Sequence, residues 1–136
     1  MKKSVDVLNQ WAEGTLISHL GIKVSEINDE RVIGIMPVEN KTRQPMGFLH
    51  GGATLAFAET LASIGSYAIT DAENYNVFGT HVYGTHLSSI TSGAVTGEAV
   101  LIHKGKNKHL WDCRIICDTT NKLISVVRVS IAIVKK

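Results

Sequence analysis

The chain has 136 residues, 14 basic and 12 acidic side chains, and a formal charge of +2. With 44% hydrophobic and 19% charged residues, it has apolar material enough to exclude a disordered chain and room for one compact domain. Its net charge is too small to call for nucleic acid as a partner. The charges are unevenly spread: the 27 residues between Arg43 and Asp71 carry only one, Glu59, where the chain average would place about five.

From Ser4 to Leu20, Val5, Leu8, Trp11, Ala12, Leu16 and Leu20 recur at spacings of three and four. The spacing predicts a helical segment, broken at Gly14 and ended by Gly21. Residues 22–27 and 32–38 read as strands around an Asn28-Asp29-Glu30 turn, and residues 39–49 as a loop between Pro37 and the next element. A helix follows over residues 51–68. Four strands follow it, at residues 76–87, 93–103, 109–117 and 123–134, separated by hairpin-length turns that imply antiparallel pairing. The fold class is α+β, one long helix on an antiparallel sheet of about six strands, forming a single domain over residues 1–136.

Cys113 and Cys117 lie four residues apart on one predicted strand, about 13 Å at the usual rise, too far for a disulfide. Two buried free thiols fit a reducing cytosol. The start, Met1-Lys2-Lys3-Ser4, is basic but no apolar core follows it, and the apolar stretch 49–70 is interrupted by Glu59 and small polar residues. Neither a signal peptide nor a membrane span is expected, and the cytoplasm is the predicted location.

In the helix over 51–68, Leu55, Phe57, Leu61 and Ile64, with Ile69 just beyond, spread around the wheel, and alanines fill most gaps. A helix apolar on nearly all sides needs cover on nearly all sides. Other copies of the chain would supply it, giving a homo-oligomer; the alternative is cover by the N-terminal helix. The helix begins at His50-Gly51-Gly52. Its first N–H groups have no partner within the helix and carry partial positive charge, and glycines let a ligand approach the backbone. This is the geometry of an oxyanion hole, or else a tight helix entry. Glu59 stands two turns further in, with Ser63 one turn beyond. It is either a general base in a poorly solvated setting or part of a water-facing stripe, Glu59-Ser63-Ser66-Thr70.

The six histidines form no HxH or HxxxH pair, and His81 and His86 point to opposite faces of one strand. No metal site is expected. Gln44, before Pro45, is a loop amide that either donates to a carbonyl or simply faces water. The hairpin Lys104-Gly105-Lys106-Asn107-Lys108-His109 is a solvated turn or a phosphate contact. Three lysines without interleaved aromatics are too few for a nucleic-acid surface.

The run from Asn40 to Gly52 places Gln44 six residues before His50, and Glu59 follows that His by nine. Together with Leu55 and Ala58, this pattern resembles the hotdog-fold acyl-CoA thioesterases, in particular the phenylacetate-degradation and aryl-CoA branch that includes hydroxybenzoyl-CoA and dihydroxynaphthoyl-CoA thioesterases. The resemblance covers about residues 20–134. It implies hydrolysis of an acyl- or aryl-CoA to a free acid and coenzyme A, without a cofactor. Gly51 would supply the oxyanion-hole N–H, Gln44 would polarise the thioester carbonyl, and His50 would support the site. Glu59 would act as general base or as nucleophile. Ser63 would position water, and His86 would lie near the thioester. Lys104, Lys106, Lys108, Ser88 and Ser89 would meet the coenzyme A portion, lysine acting as a point charge. Met46, Phe48 and Tyr83 would line the acyl pocket. The resemblance also implies sites built across a dimer interface, with the Glu from the opposite subunit, and dimers pairing into tetramers; no nucleic acid or membrane partner is implied. A non-catalytic acyl-CoA-binding protein and a hotdog dehydratase or hydratase are the alternatives.

Overall fold

A computed structural model describes residues 3–136; Met1 and Lys2, the first half of the basic start, lie outside the described residues. Two short helices, α1 (Val5–Trp11) and α2 (Leu16–His19), precede strands β1 (Lys23–Ile27) and β2 (Arg31–Pro37). A single 3-10 turn at Asn40–Thr42 leads to the long helix α3 (Gly51–Ile69). Strands β3 (Tyr75–His86), β4 (Ala94–Lys104), β5 (Lys108–Cys117) and β6 (Leu123–Lys135) complete the chain. They form one antiparallel sheet in the order β1-β2-β4-β5-β6-β3. The predicted elements are all present, with strand ends moved by one residue. Gly14 (φ 74°) and Gly21 (φ 75°) do interrupt and end the N-terminal helical segment, each in the left-handed region that other residues avoid.

The sheet is concave around α3 because its inward stripes are apolar and its centre is thin. Val32 and Met36 on β2, Val95 and Ala99 on β4, Trp111 and Ile115 on β5 and Val127, Val129 and Ile131 on β6 are buried against Phe57, Ala58, Leu61 and Ala62 of α3. Gly34 and Gly97 face one another across β2 and β4. A Cβ on either would stand 2.7 Å from a Leu61 methyl carbon, so this glycine pair forms the groove into which the helix settles.

Ser66 departs from the water-facing stripe considered above. It is fully buried on α3, and its Oγ accepts the Trp111 indole N–H (2.9 Å) and bonds His109 Nδ1 (2.9 Å). The indole can only donate, and the Ser66 hydroxyl proton has no acceptor other than His109 among the described residues, so it is turned toward that ring. Burial, and then the charges of Lys104 and His103, lower the affinity of His109 for a proton. The unfolded chain binds that proton below about pH 6.5 while the folded one resists it. His109 therefore favours folding fully above that value, and stability falls as pH drops from there through the lower folded value. Urea midpoints for wild type are expected to decrease from pH 7.5 to 5, and His109→Gln should flatten that decrease. Equal pH dependence in the two proteins would contradict this assignment.

Cys113 is buried and its thiol is pushed up to about 12 by burial and the nearby Asp112 charge. Cys117 differs from the expected buried thiol. It ends β5, is only half-buried, and hydrogen bonds from Thr120 and Thr119 lower it to about 7. No helix among the described residues is long and apolar enough to cross a membrane.

The two sheet edges are treated differently. Along β1, the Asn9 side chain donates to the Val24 carbonyl and accepts the Val24 N–H, both at 2.9 Å, so one amide imitates a neighbouring strand. Among the described residues, the outer edge of β3 has no strand beside it over its 12 residues, although long uncovered edges invite pairing with another chain.

Candidate functional site

The loop before α3 is built to hold the helix entry. Thr42 is buried; its carbonyl accepts the His50 N–H at 2.7 Å, and the Leu49 N–H donates to the Ile90 carbonyl at 2.9 Å. His50 is the N-cap of α3, and its Nδ1 accepts the Gly52 N–H at 2.8 Å. An accepting Nδ1 carries no proton, so the neutral ring bears its proton on Nε2. The Gly51 N–H has no acceptor among the described residues. It is an orphan donor of the helix N-terminus.

Gln44 turns its side-chain oxygen back to the Met46 N–H. Because an N–H only donates, the amide NH2 is the end left free for another partner. Gln44, Phe48, Leu49, Gly51, Thr54, His86, Ser88, Ser89 and Ile124 line one cleft of about 230 Å³. His86 closes it from the end of β3; a Cβ at residue 51 would stand 2.7 Å from its Nε2, so the ring rests on the glycine backbone.

Glu59 lies elsewhere. It lines a second cleft, of about 310 Å³, with Ser63, Thr60, Ala56, Ile64, Tyr67, Val77 and the N-terminal residues Trp11, Leu16 and Ile17. Its carboxylate lies over the Gly79 backbone of β3, where any Cβ would collide with it. It is half-buried and has no hydrogen bond or ion pair among the described residues. Trp11 stacks on Tyr67 at 4.4 Å between ring centroids and 12° between planes, and Lys3 Nζ sits 3.5 Å from the Tyr67 ring centroid. The N-terminal helices thus cover part of α3, as the alternative reading allowed.

The predicted residues therefore fall into two groups. Gln44, His50, Gly51 and His86 meet at the start of α3; Glu59 and Ser63 meet further along it. Eight residues of helix separate Gly51 from Glu59, about 12 Å along the axis, too far for both to act on one carbonyl. Ser88 and Ser89 belong to the first group. Lys104, Lys106 and Lys108 occupy the β4–β5 turn at the opposite end of the sheet, since Lys108 pairs with Ala132 and so with Phe78, whereas His86 pairs with Ser125.

Two acyl-pocket expectations are corrected. Tyr83 is 65% exposed and pairs with Arg128 on the sheet face turned away from α3, because strand alternation places it opposite in sense to His86 and Gly84. Met46 is 77% exposed and lines neither cleft. Phe48 does line the Gly51 cleft. Sequence reasoning missed Tyr67 and took Trp11 for helix core; eight residues separate Tyr67 from Glu59, which puts both on one helix face.

A model of the thioesterase superfamily matches residues 46–124. The chain is 34% identical over 130 residues to the proofreading thioesterase EntH of Cronobacter turicensis, covering 96% of this chain and 93% of that protein. It is 32% identical over 132 residues to the 1,4-dihydroxy-2-naphthoyl-CoA hydrolase of Escherichia coli, covering 97% and 96%. Among solved structures, a variant thioesterase from Pseudomonas aeruginosa superposes with a TM-score of 0.95 at 34% identity, covering 100% of this chain and 97% of that one.

Proposed function

Because the chain belongs to the thioesterase superfamily and has the hotdog fold, we propose that it hydrolyses acyl- or aryl-CoA thioesters in a site completed by two copies of the chain. The carrying observation is the unpartnered Gly51 N–H at the floor of a cleft that also holds the free Gln44 amide. Donors fixed before the reaction stabilise charge developing on a carbonyl oxygen at little reorganisation cost.

The thioester carbonyl lies against Gly51 N–H and the Gln44 amide. Glu59 of the second copy activates water, held by Ser63, or attacks the carbonyl carbon to give an anhydride that water then opens. Either route releases the acid and the coenzyme A thiol. β3 is the last strand of the sheet, and antiparallel pairing of the β3 edges of two copies would give this arrangement. It sets the His86 end of one strand against the Tyr75 end of the other, and Gly79, beneath the Glu59 carboxylate, lies in that half. The same pairing carries the second copy's Lys104, Lys106 and Lys108 toward the Ser88 and Ser89 end, where the phosphates of coenzyme A would lie. The Trp11–Tyr67 cleft beside Glu59 would receive the acyl group. Free cysteines fit a reducing cytoplasm.

The test is a panel of aliphatic and aromatic acyl-CoA esters followed by thiol release, in a Cys117→Ser background because the Cys117 thiol, at about 7, would itself react with the reagent. At least one ester is expected to turn over in the range of ordinary enzymes, about 1 s⁻¹ or faster. Tight binding of esters with no turnover would favour the non-catalytic alternative.

A further inference from the structure

The inward stripe of β6 reads Ser125, Val127, Val129, Ile131, Ile133, and only its first member is polar. Ser125 is 0% exposed. A buried hydroxyl is costly unless it is hydrogen-bonded. Its one partner among the described residues is the His86 imidazole, with Oγ 2.7 Å from Nδ1, across the last rung joining β3 to β6.

The direction of this bond follows from the donor count. If Nδ1 carried the proton and donated it, the Ser125 O–H would be left with no acceptor among the described residues, deep under the sheet. If Ser125 donates to Nδ1, both groups are satisfied and the ring proton resides on Nε2. That Nε2 rests on the Gly51 backbone, in the cleft that also holds the Gln44 side chain.

We propose that Ser125 is a positioning residue that fixes His86 as an Nε2–H donor beside the Gly51 N–H, adding a further donor to the carbonyl site. The proposal rests on the hydrolase reading above for its catalytic consequence, but not for the hydrogen bond itself. A valine at residue 125 would continue the apolar stripe and bury well; serine is placed there for what it does to the imidazole. Its effect falls on a charge that grows in the transition state, so it acts on kcat more than on substrate binding.

The experiment compares wild type, Ser125→Ala and Ser125→Thr. Long-range ¹H–¹⁵N spectra of the substrate-free protein report the His86 tautomer, and kinetics on the best ester report kcat and KM. Wild type and Ser125→Thr are expected to hold His86 in the Nε2–H form, and Ser125→Ala to populate both tautomers. The alanine variant should lose about tenfold in kcat with KM within about twofold, and threonine should restore most of the loss. An unchanged tautomer in Ser125→Ala, or wild-type kcat in that variant, would overturn the proposal. So would a threonine variant as slow as alanine. If wild type turns over no ester, the hydrolase reading fails while the tautomer comparison still decides whether Ser125 sets the ring.

Discussion

Replacing Glu59 by alanine is expected to lower kcat for the best ester by at least ~10²-fold, the lower bound for removing a general base, while leaving the fold intact. The small structural cost follows from where the side chain lies. Glu59 is half-buried, has no ion pair or hydrogen bond among the described residues, and faces a cleft rather than the packed interior. Its removal orphans no partner, so the melting temperature should stay near that of wild type. KM should change little, because in the proposed mechanism the carboxylate acts on water or on the carbonyl carbon and holds neither the acyl group nor the coenzyme A. Equal turnover by wild type and Glu59→Ala would remove Glu59 from the mechanism. Label from ¹⁸O water entering the Glu59 carboxylate in a single turnover would identify the anhydride route, with water opening the anhydride at the Glu59 carbonyl carbon.

The fold and part of the candidate site's layout were legible in the sequence for identifiable reasons. Gln44, His50, Gly51 and Glu59 lie on contiguous chain, where loop and helix geometry fix their relation. The charge-poor stretch around Glu59 marked a helix that is in fact covered on one face by the sheet and on another by Trp11. Relations that depend on strand register were not legible. Ser125 meets His86 only because β3 and β6 pair at their last rung, 39 residues apart in sequence. Ser66 turns inward to His109 and Trp111 on β5, although its helical spacing from Glu59 and Ser63 suggested a stripe facing water. The outward direction of Tyr83 was not legible either, because a strand's range does not reveal its inward face and a shift of one residue exchanges the two faces. The basic hairpin was readable as a cluster of charge, but its distance from Gly51 within one chain needed the pairing of Lys108 with Ala132.

That division of the site is what sets its physical character. Within one chain, the donors at the start of α3 and the carboxylate further along it are separated by about 12 Å of helix. A single copy can polarise a carbonyl or activate a water, but not both at one bond. Removing the Gly51 donor without disturbing the helix is feasible. Residue 51 is the first helical position, where proline is well tolerated and its missing N–H is one the helix does not use. His50 already has the extended backbone, ψ 128°, that proline favours in the residue before it. Gly51→Pro therefore deletes the donor and also pushes against His86, whose Nε2 lies where the new side chain would begin. Its homodimer is expected to lose at least ~10²-fold in kcat, as for loss of an oxyanion-hole donor.

The most direct measurement combines these two inactive proteins in one dimer. Glu59→Ala and Gly51→Pro chains carrying different affinity tags are co-expressed, and the heterodimer is isolated through both tags. If each site takes Gly51 from one copy and Glu59 from the other, one of the two sites is wholly wild type and the other carries both defects. The heterodimer should then regain roughly half of the wild-type activity per dimer. A heterodimer as inactive as either parent would mean that each site draws both groups from one chain, and would contradict the account.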